Sequence, residues 1–97
     1  MMTIQEALSS YAAMAELTEQ MVRTAERSDW EAMVLLEQRR AALVHTLSAQ
    51  QAPQPAPGAE LERMRELIGR MLDADTRIRQ LSAAWLAPAA ALLKQAS

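Results

Sequence analysis

Apolar residues recur at alternating spacings of four and three along most of this chain, and this period restricts the fold more than any other feature. An α-helix has 3.6 residues per turn, so such a spacing keeps one face of a helix apolar. Strong helix formers dominate, and aromatic residues make up only 3% of the 97 residues. Sheet-forming residues are therefore too scarce for an all-β or α/β fold. The sequence predicts an all-α protein.

The first two helices are expected to begin at capping boxes. Residues 3–6, Thr-Ile-Gln-Glu, have the form in which a Thr hydroxyl and a Glu carboxylate satisfy each other's backbone N–H groups. A first helix is therefore expected over about 3–27. Residues 28–31, Ser-Asp-Trp-Glu, have the same form, and a second helix is expected over about 29–50.

A Pro-rich stretch over 51–58 separates the second helix from the third. Proline cannot donate helix hydrogen bonds, so a connecting loop is the preferred interpretation, and a ligand for a proline-recognition domain is the alternative. The third helix is expected over about 59–86, followed by a tail over 87–97. In the tail, Pro88 either kinks the helix or opens a short last turn.

Short connections between amphipathic helices favour antiparallel neighbours. We therefore predict that residues 1–97 form a single domain, an antiparallel up-down-up three-helix bundle with a short C-terminal helical tail after Pro88. Each helix is expected to bury its apolar stripe against the other two. On the third helix, pairs of opposite charge four residues apart mark the solvent side. These expected pairs are Glu66–Arg70 and Asp73–Arg77.

The sequence contains few of the groups that catalysis or metal binding requires. Cysteine is absent, and His45 is the only histidine, so zinc and di-iron sites lack their ligand sets. Asp73 and Asp75 begin like a calcium loop but lack its Gly and distal Glu. Gly-rich phosphate loops and nucleophile motifs are absent as well. We expect no enzyme activity, no metal and no cofactor.

Charge and hydropathy argue against nucleic acid and membrane partners. The net charge is −2 and the pI about 5.3, and acidic residues interleave with the arginines of the third helix, which cancels a basic patch. A basic leader followed by an apolar core is not seen, nor a run of roughly 20 apolar residues. A cytosolic location without membrane insertion is expected.

Four charged residues fall on faces that are otherwise apolar: Glu37 and Arg40 on the second helix, and Asp75 and Arg79 on the third. A buried charge needs a partner, because unpaired burial costs several kcal/mol. One interpretation is a pair within or between helices that fixes their register. The other is a polar contact point in a docking groove.

Methionines also pair along the helices. Met14 and Met21 lie seven residues apart on the first helix, and Met64 and Met71 lie seven apart on the third, so each pair shares a face. Methionine fills ordinary cores, but it is also frequent on surfaces that receive amphipathic helices. Both interpretations stay open from the sequence.

The order of these parts resembles the FliT family of flagellar export chaperones over about residues 8–86. The resemblance is carried by the turn after the first helix and by the acidic run of the third, together with apolar positions around them. These residues are Tyr11, Leu17, Ala25, Asp29-Trp30-Glu31, Leu36-Glu37, Arg40, Leu43-Val44, Leu67-Ile68, Met71-Leu72-Asp73-Ala74-Asp75 and Ile78.

The resemblance implies a small cytosolic bacterial protein that binds the C-terminal helical segment of the filament-cap protein FliD. It further implies that FliD is kept monomeric and delivered to the flagellar type III export gate and its ATPase complex. Family members in enteric bacteria also bind the flagellar master transcriptional regulator. Those longer relatives carry a regulatory fourth helix after the position of Leu86, so autoinhibition and regulator binding are not carried over to this chain.

Residue pattern and resemblance together predict that a guest amphipathic helix lies along a groove lined by methionine and leucine. The predicted contact residues are Met14, Leu17, Met21, Met64, Leu67 and Met71, with Glu37 and Arg40 as polar guides. One alternative is a homodimer whose methionine stripes close on each other and that serves as a structural bundle. Another is a regulator that binds a flagellar transcription factor.

Overall fold

The computed structural model describes the backbone of residues 1–96 and the side chains of residues 1–84 and of Lys94. This part of the chain forms three α-helices and no strand: α1 (Ile4–Glu26), α2 (Trp30–Ala49) and α3 (Ala59–Ala96). The predicted all-α class and three-helix arrangement are confirmed. The apolar period of the third helix extends to Trp85, but the Trp85 side chain and Ser97 lie outside the described part.

The start of α1 is the capping box that the sequence predicts. The hydroxyl of Thr3 accepts from the backbone N–H of Glu6 at 3.1 Å, and the backbone N–H of Thr3 donates to the Glu6 carboxylate at 3.3 Å. Two N–H groups that would otherwise lack partners at the helix terminus are thereby satisfied. The local sequence alone is sufficient to place this boundary.

The turn between α1 and α2 differs from the expected second capping box. Asp29, rather than Ser28, is the N-cap of α2, and its carboxylate accepts from the backbone N–H of Ala32 at 3.2 Å. Ser28 instead has a left-handed backbone with φ of 57°. It closes α1 in a Schellman motif, in which the N–H of Asp29 donates to the Thr24 carbonyl and the N–H of Ser28 to the Ala25 carbonyl. Ser28 cannot adopt both conformations, so the cap moves one residue on.

The end of α2 repeats the Schellman motif. Gln51 takes the left-handed position with φ of 49°, and the N–H of Ala52 donates to the Leu47 carbonyl at 3.2 Å. The loop then leads to Gly58, whose φ is 104°. The carboxylate of Glu60 accepts from the backbone N–H of Ala56 at 3.0 Å and ties the loop to the start of α3. The Pro-rich stretch is a loop with defined ends.

The third helix is longer than expected. It does not end near residue 86 with a separate turn after Pro88, but continues as one helix to Ala96. Residues 87–96 are rich in alanine and leucine, which are strong helix formers. Proline costs a helix one hydrogen bond and brings its ring against the carbonyl four residues before it, and the strong helix formers on both sides favour continuation of the helix past this position.

The helices do not form a closed triangle. Within the described residues, α2 and α3 each pack closely against α1, whereas no Cα atom of α2 lies within 8 Å of one of α3. The expectation that every helix packs closely on the other two is therefore wrong for α2 and α3, which meet through side chains such as Arg40 and Asp75. The physical reason lies in the residue types: the buried face of α1 contains alanines and other small residues that allow close approach, whereas the facing sides of α2 and α3 carry mostly longer side chains. The buried residues of α1 are Ala7, Leu8, Met14, Ala15, Thr18, Met21, Thr24 and Ala25.

Ion pairing on α3 also differs from the expected ladder. Arg70 does not pair with Glu66 but reaches α1, where its Nε donates to the Glu19 carboxylate at 3.1 Å and its Nη2 donates at 2.5 Å. Glu66 accepts from Arg63 at 2.9 Å, and an Asp73–Arg77 pair is not formed among the described residues. A bidentate interhelical contact has fixed geometry that an exposed pair on one helix lacks, so Arg70 takes the interhelical partner.

Candidate partner-binding groove

The gap between α2 and α3 is a groove that runs along α1. Its floor is formed by Met14, Thr18 and Met21, which are 8%, 0% and 3% exposed. One wall belongs to α2 and the other to α3, and the lining is largely apolar. The wall residues are Met33, Val34, Glu37, Gln38, Arg40, Ala41 and Val44 of α2, and Met71, Asp75, Ile78 and Arg79 of α3.

A polar layer crosses the groove at one level. Arg40 is its centre: Nη1 donates to the Asp75 carboxylate at 2.8 Å and to the Thr18 hydroxyl at 3.3 Å, and Nη2 donates to the Glu37 carboxylate at 2.6 Å. Thr18 also donates to the backbone carbonyl of Met14 at 2.7 Å. We call Thr18, Glu37, Arg40 and Asp75 the polar layer. It joins α1, α2 and α3 through one guanidinium.

The charge of Arg40 is held by its partners. Burial opposes the charged form, but the hydrogen bond that Arg40 donates to Asp75 and the negative charges of Asp75 and Glu37 outweigh burial and raise the pKa of Arg40 above its ordinary value. The side chain is 20% exposed, against 33% for Asp75 and 47% for Glu37. Arg79 borders the groove but donates to the Thr76 hydroxyl at 3.2 Å. The sequence allowed two interpretations of these charged residues, a pair that fixes the register of the helices or a polar contact point in a docking groove. The structure contains the interhelical pair, formed by Arg40 and Asp75.

The polar layer divides the groove into two apolar compartments. The first compartment has a volume of about 340 Å³, and its apolar lining residues are Met14, Ala41, Val44 and Met71. The second has a volume of about 450 Å³, and its apolar lining residues are Met21, Met33, Val34, Ala41 and Ile78. Glu37, Arg40 and Asp75 border both compartments. The groove therefore offers two apolar sites with charged groups between them.

The residues predicted as contacts are distributed unevenly. Met14 and Met21 lie in the floor, Met71 lies in a wall, and Glu37 and Arg40 lie in the polar layer. Three predicted residues do not line the groove. Leu67 is fully buried, while Leu17 and Met64 are half-buried outside it.

Sequence reasoning missed several wall residues. Val34 is 51% exposed and Val44 is 47% exposed, although the apolar period places both on the buried side of the second helix. The apolar period likewise places Met33, Ala41 and Ile78 on the apolar sides of their helices. The available signal was that Glu37 lies on the same face as Val34 and Ala41, since a charge at the centre of an apolar stripe marks a face that is not closed.

Nothing in this groove is suited to metal chemistry. Among the described residues, no group of three or more His, Cys, Asp or Glu side chains could hold a metal ion, and His45 is an exposed residue on α2. None of the helices, over the stretch that the structure describes, combines the length and apolar character needed to cross a membrane. What the groove can provide is apolar contact area and a few directed hydrogen bonds.

Comparison with protein families matches residues 8–97 to the FliT model, described as flagellar protein FliT. Comparison with curated proteins and with solved structures returned no match. The family match includes all of α2 and α3 and all but the first four residues of α1. Every helix that forms the groove is therefore part of the match, and the chain belongs to the FliT family of flagellar proteins.

Proposed function

We propose that this chain is a cytosolic export chaperone that binds the C-terminal helix of FliD in the groove between α2 and α3. In this role it keeps FliD monomeric and delivers it to the flagellar type III export gate and its ATPase complex. FliD chaperoning is the known function of the FliT family. The observation that carries the proposal is that the backbones of α2 and α3 do not approach each other closely, which leaves an apolar groove open on one side of the bundle.

The physical basis of binding is burial of apolar surface. Val34 and Val44 are about half exposed along one wall, and Met71 and Ile78 are half-buried along the other. A guest helix in the groove would cover all four and give α2 and α3 a common neighbour, as in a four-helix bundle. Removing apolar surface from water contributes roughly 25 cal/mol per Å² before the costs of association.

The same burial accounts for the chaperone effect. An amphipathic helix that assembles with other FliD subunits uses its apolar face for those contacts, and that face is covered while it lies in the groove. Binding and assembly then compete for one surface. No covalent step is needed, and release follows when the export apparatus competes for the guest or the chaperone.

A direct test compares calorimetric binding of full-length FliD with binding of FliD that lacks its C-terminal helix. The chaperone is used as the full chain, in wild-type form and with Val34→Asp or Leu35→Asp. These two adjacent residues are 51% and 56% exposed, but only Val34 lines the groove. Both substitutions add the same charge to the same helix, so Leu35→Asp is a matched control.

We expect Val34→Asp to weaken binding by at least about tenfold, because a carboxylate would lose water in an apolar compartment. Leu35→Asp and the wild type should bind equally, and truncated FliD should not bind. Equal binding by both variants would remove the groove as the site. A concentration-dependent dimer in sedimentation that persists with FliD present would favour the structural homodimer, and co-purification of a transcription factor instead of FliD would favour the regulator.

A further inference from the structure

The groove contains its apolar and polar groups in a regular order. On α1, Met14 is followed four residues later by Thr18 and three residues after that by Met21. On α3, Met71, Asp75 and Ile78 repeat the spacing of four and three. In both helices the outer members line different compartments, and the middle member belongs to the polar layer.

This order is that of a helix bundle with one polar layer between two apolar layers. Seven residues of helix span about 10.5 Å, which is two turns. In bundles and coiled coils, a single buried polar layer fixes the register of the partner helix, because a shifted partner places apolar side chains against polar groups. The same consequence applies to any helix that enters this groove.

We propose that the polar layer sets the register and sequence of the guest helix. The guest has two apolar residues seven apart, one for each compartment, and a hydrogen-bond-donating side chain such as glutamine on the same face between them. The inference rests on the proposed function, since it takes a helix as the occupant. It adds that the residues of the polar layer select the guest, and it states which side chains the guest helix must carry.

The preference for a donor follows from the groups in the layer. Two carboxylates, Glu37 and Asp75, surround one guanidinium, and Arg40 already donates to both of them and to Thr18. The layer therefore has more acceptor capacity than donor capacity, and its charge sums to −1 from one Arg and two acidic residues. Arg79, at the border of the second compartment, donates to Thr76 and to no member of the layer. A leucine at this level would cover charged groups without bonding them, and a glutamate would meet like charge.

Three synthetic helical peptides of about 18 residues, close to the length of α2, test this inference. Each has leucines seven residues apart, and the two intervening positions on the same face carry glutamine in one peptide, leucine in the second and glutamate in the third. Binding to the full chain is measured by fluorescence anisotropy. Substituting both positions covers either direction of the guest in the groove.

We expect the glutamine peptide to bind the wild type at least about tenfold more tightly than the other two. With the triple substitution Glu37→Leu, Arg40→Met and Asp75→Leu, which removes every charge of the layer, the leucine peptide should become the tightest binder. Replacing paired buried polar groups together by apolar ones is tolerated in many proteins, and circular dichroism checks the fold. If the triple variant does not fold, Asp75→Asn takes its place, and the disadvantage of the glutamate peptide should shrink several-fold.

The inference is overturned if the three peptides bind equally, if the order is the same for wild type and variant, or if none binds. FliD binding measured in parallel separates the two proposals. If Val34→Asp weakens FliD binding but the three peptides do not differ in affinity, only the proposal that the polar layer sets the register is wrong. If the peptides bind with the expected order of affinity but FliD does not bind, only the identification of FliD as the guest is wrong.

Discussion

The guanidinium of Arg40 lies 2.8 Å from the Asp75 carboxylate and joins α2 to α3 across the groove. It is an interhelical ion pair in a place where the two helices do not otherwise pack. Burial of the pair is partial, so its geometry rather than its Coulomb energy is the main consequence. The contact sets the distance between the two walls.

Removing Arg40 alone should destabilise the bundle. Arg40→Ala leaves the Asp75 carboxylate without its interhelical partner and removes a donor to buried Thr18, so we expect the free energy of unfolding to fall by about 1–3 kcal/mol. Urea unfolding followed by circular dichroism measures the change. Arg39→Ala, at the exposed neighbouring position, is the control and should change the free energy by less than about 0.5 kcal/mol. Equal effects would show that the polar layer contributes nothing specific.

Leu67 is fully buried, and its replacement tests where the core lies. Leu67→Ala should lower the free energy of unfolding by about 2–5 kcal/mol, through lost burial and the cavity that remains. Leu72→Ala is the same change on the same helix at a position that is 59% exposed. It should have an effect of less than about 0.5 kcal/mol. Similar losses at both positions would contradict the described placement of α3 on α1.

Glycine at Gln51 should stabilise the protein. Gln51 has φ of 49° at the end of α2, a conformation that costs a non-glycine residue about 1–2 kcal/mol, and part of this gain is offset by the greater freedom of glycine in the unfolded chain. We expect Gln51→Gly to raise the free energy of unfolding by about 0.5–1 kcal/mol. Gln50→Gly is the matched control, because Gln50 has φ of −92° and glycine there should destabilise. A gain at both positions would rule out the backbone explanation.

The Glu19–Arg70 pair predicts a pH dependence. The hydrogen bond from Arg70 is the largest influence and lowers the pKa of Glu19, burial acts in the opposite direction, and the charges of Arg70 and Arg23 lower the pKa further. A lowered pKa in the folded state contributes stability above the ordinary value of 4.5, and this contribution is lost as pH falls through the folded-state pKa. Glu19→Gln should therefore lower the melting temperature at neutral pH but have little effect near the acid limit.

The effect is measured by thermal unfolding of the wild type and of Glu19→Gln at a series of pH values from neutral down to below the folded-state pKa of Glu19. Arg70→Gln provides the control background, since Glu19→Gln should cause no further pH-dependent loss once the partner is absent. A loss of the same size with and without Arg70 would assign the pH dependence to other groups.

The number and order of helices could be predicted from local patterns. The capping box at Thr3, the apolar period and the Pro-rich stretch each depend on residues close in sequence, and local hydrogen bonds decide them. The end of α3 could not be read in the same way, since Pro88 permits both a break and a continuation. Ser28 shows the same limit on a smaller scale, because one residue suited two boundary motifs.

The groove depends on the sequence in some respects and on the tertiary structure in others. The sequence by itself determined which faces are apolar and where Arg40 and Asp75 interrupt them. Only the tertiary structure decided that Val34 and Val44 stay open while Leu67 is enclosed, and that Arg40 pairs with Asp75 across the gap. The apolar period of a helix shows what a face could bury, but burial itself depends on which helix approaches that face, and α2 and α3 both lie closest to α1.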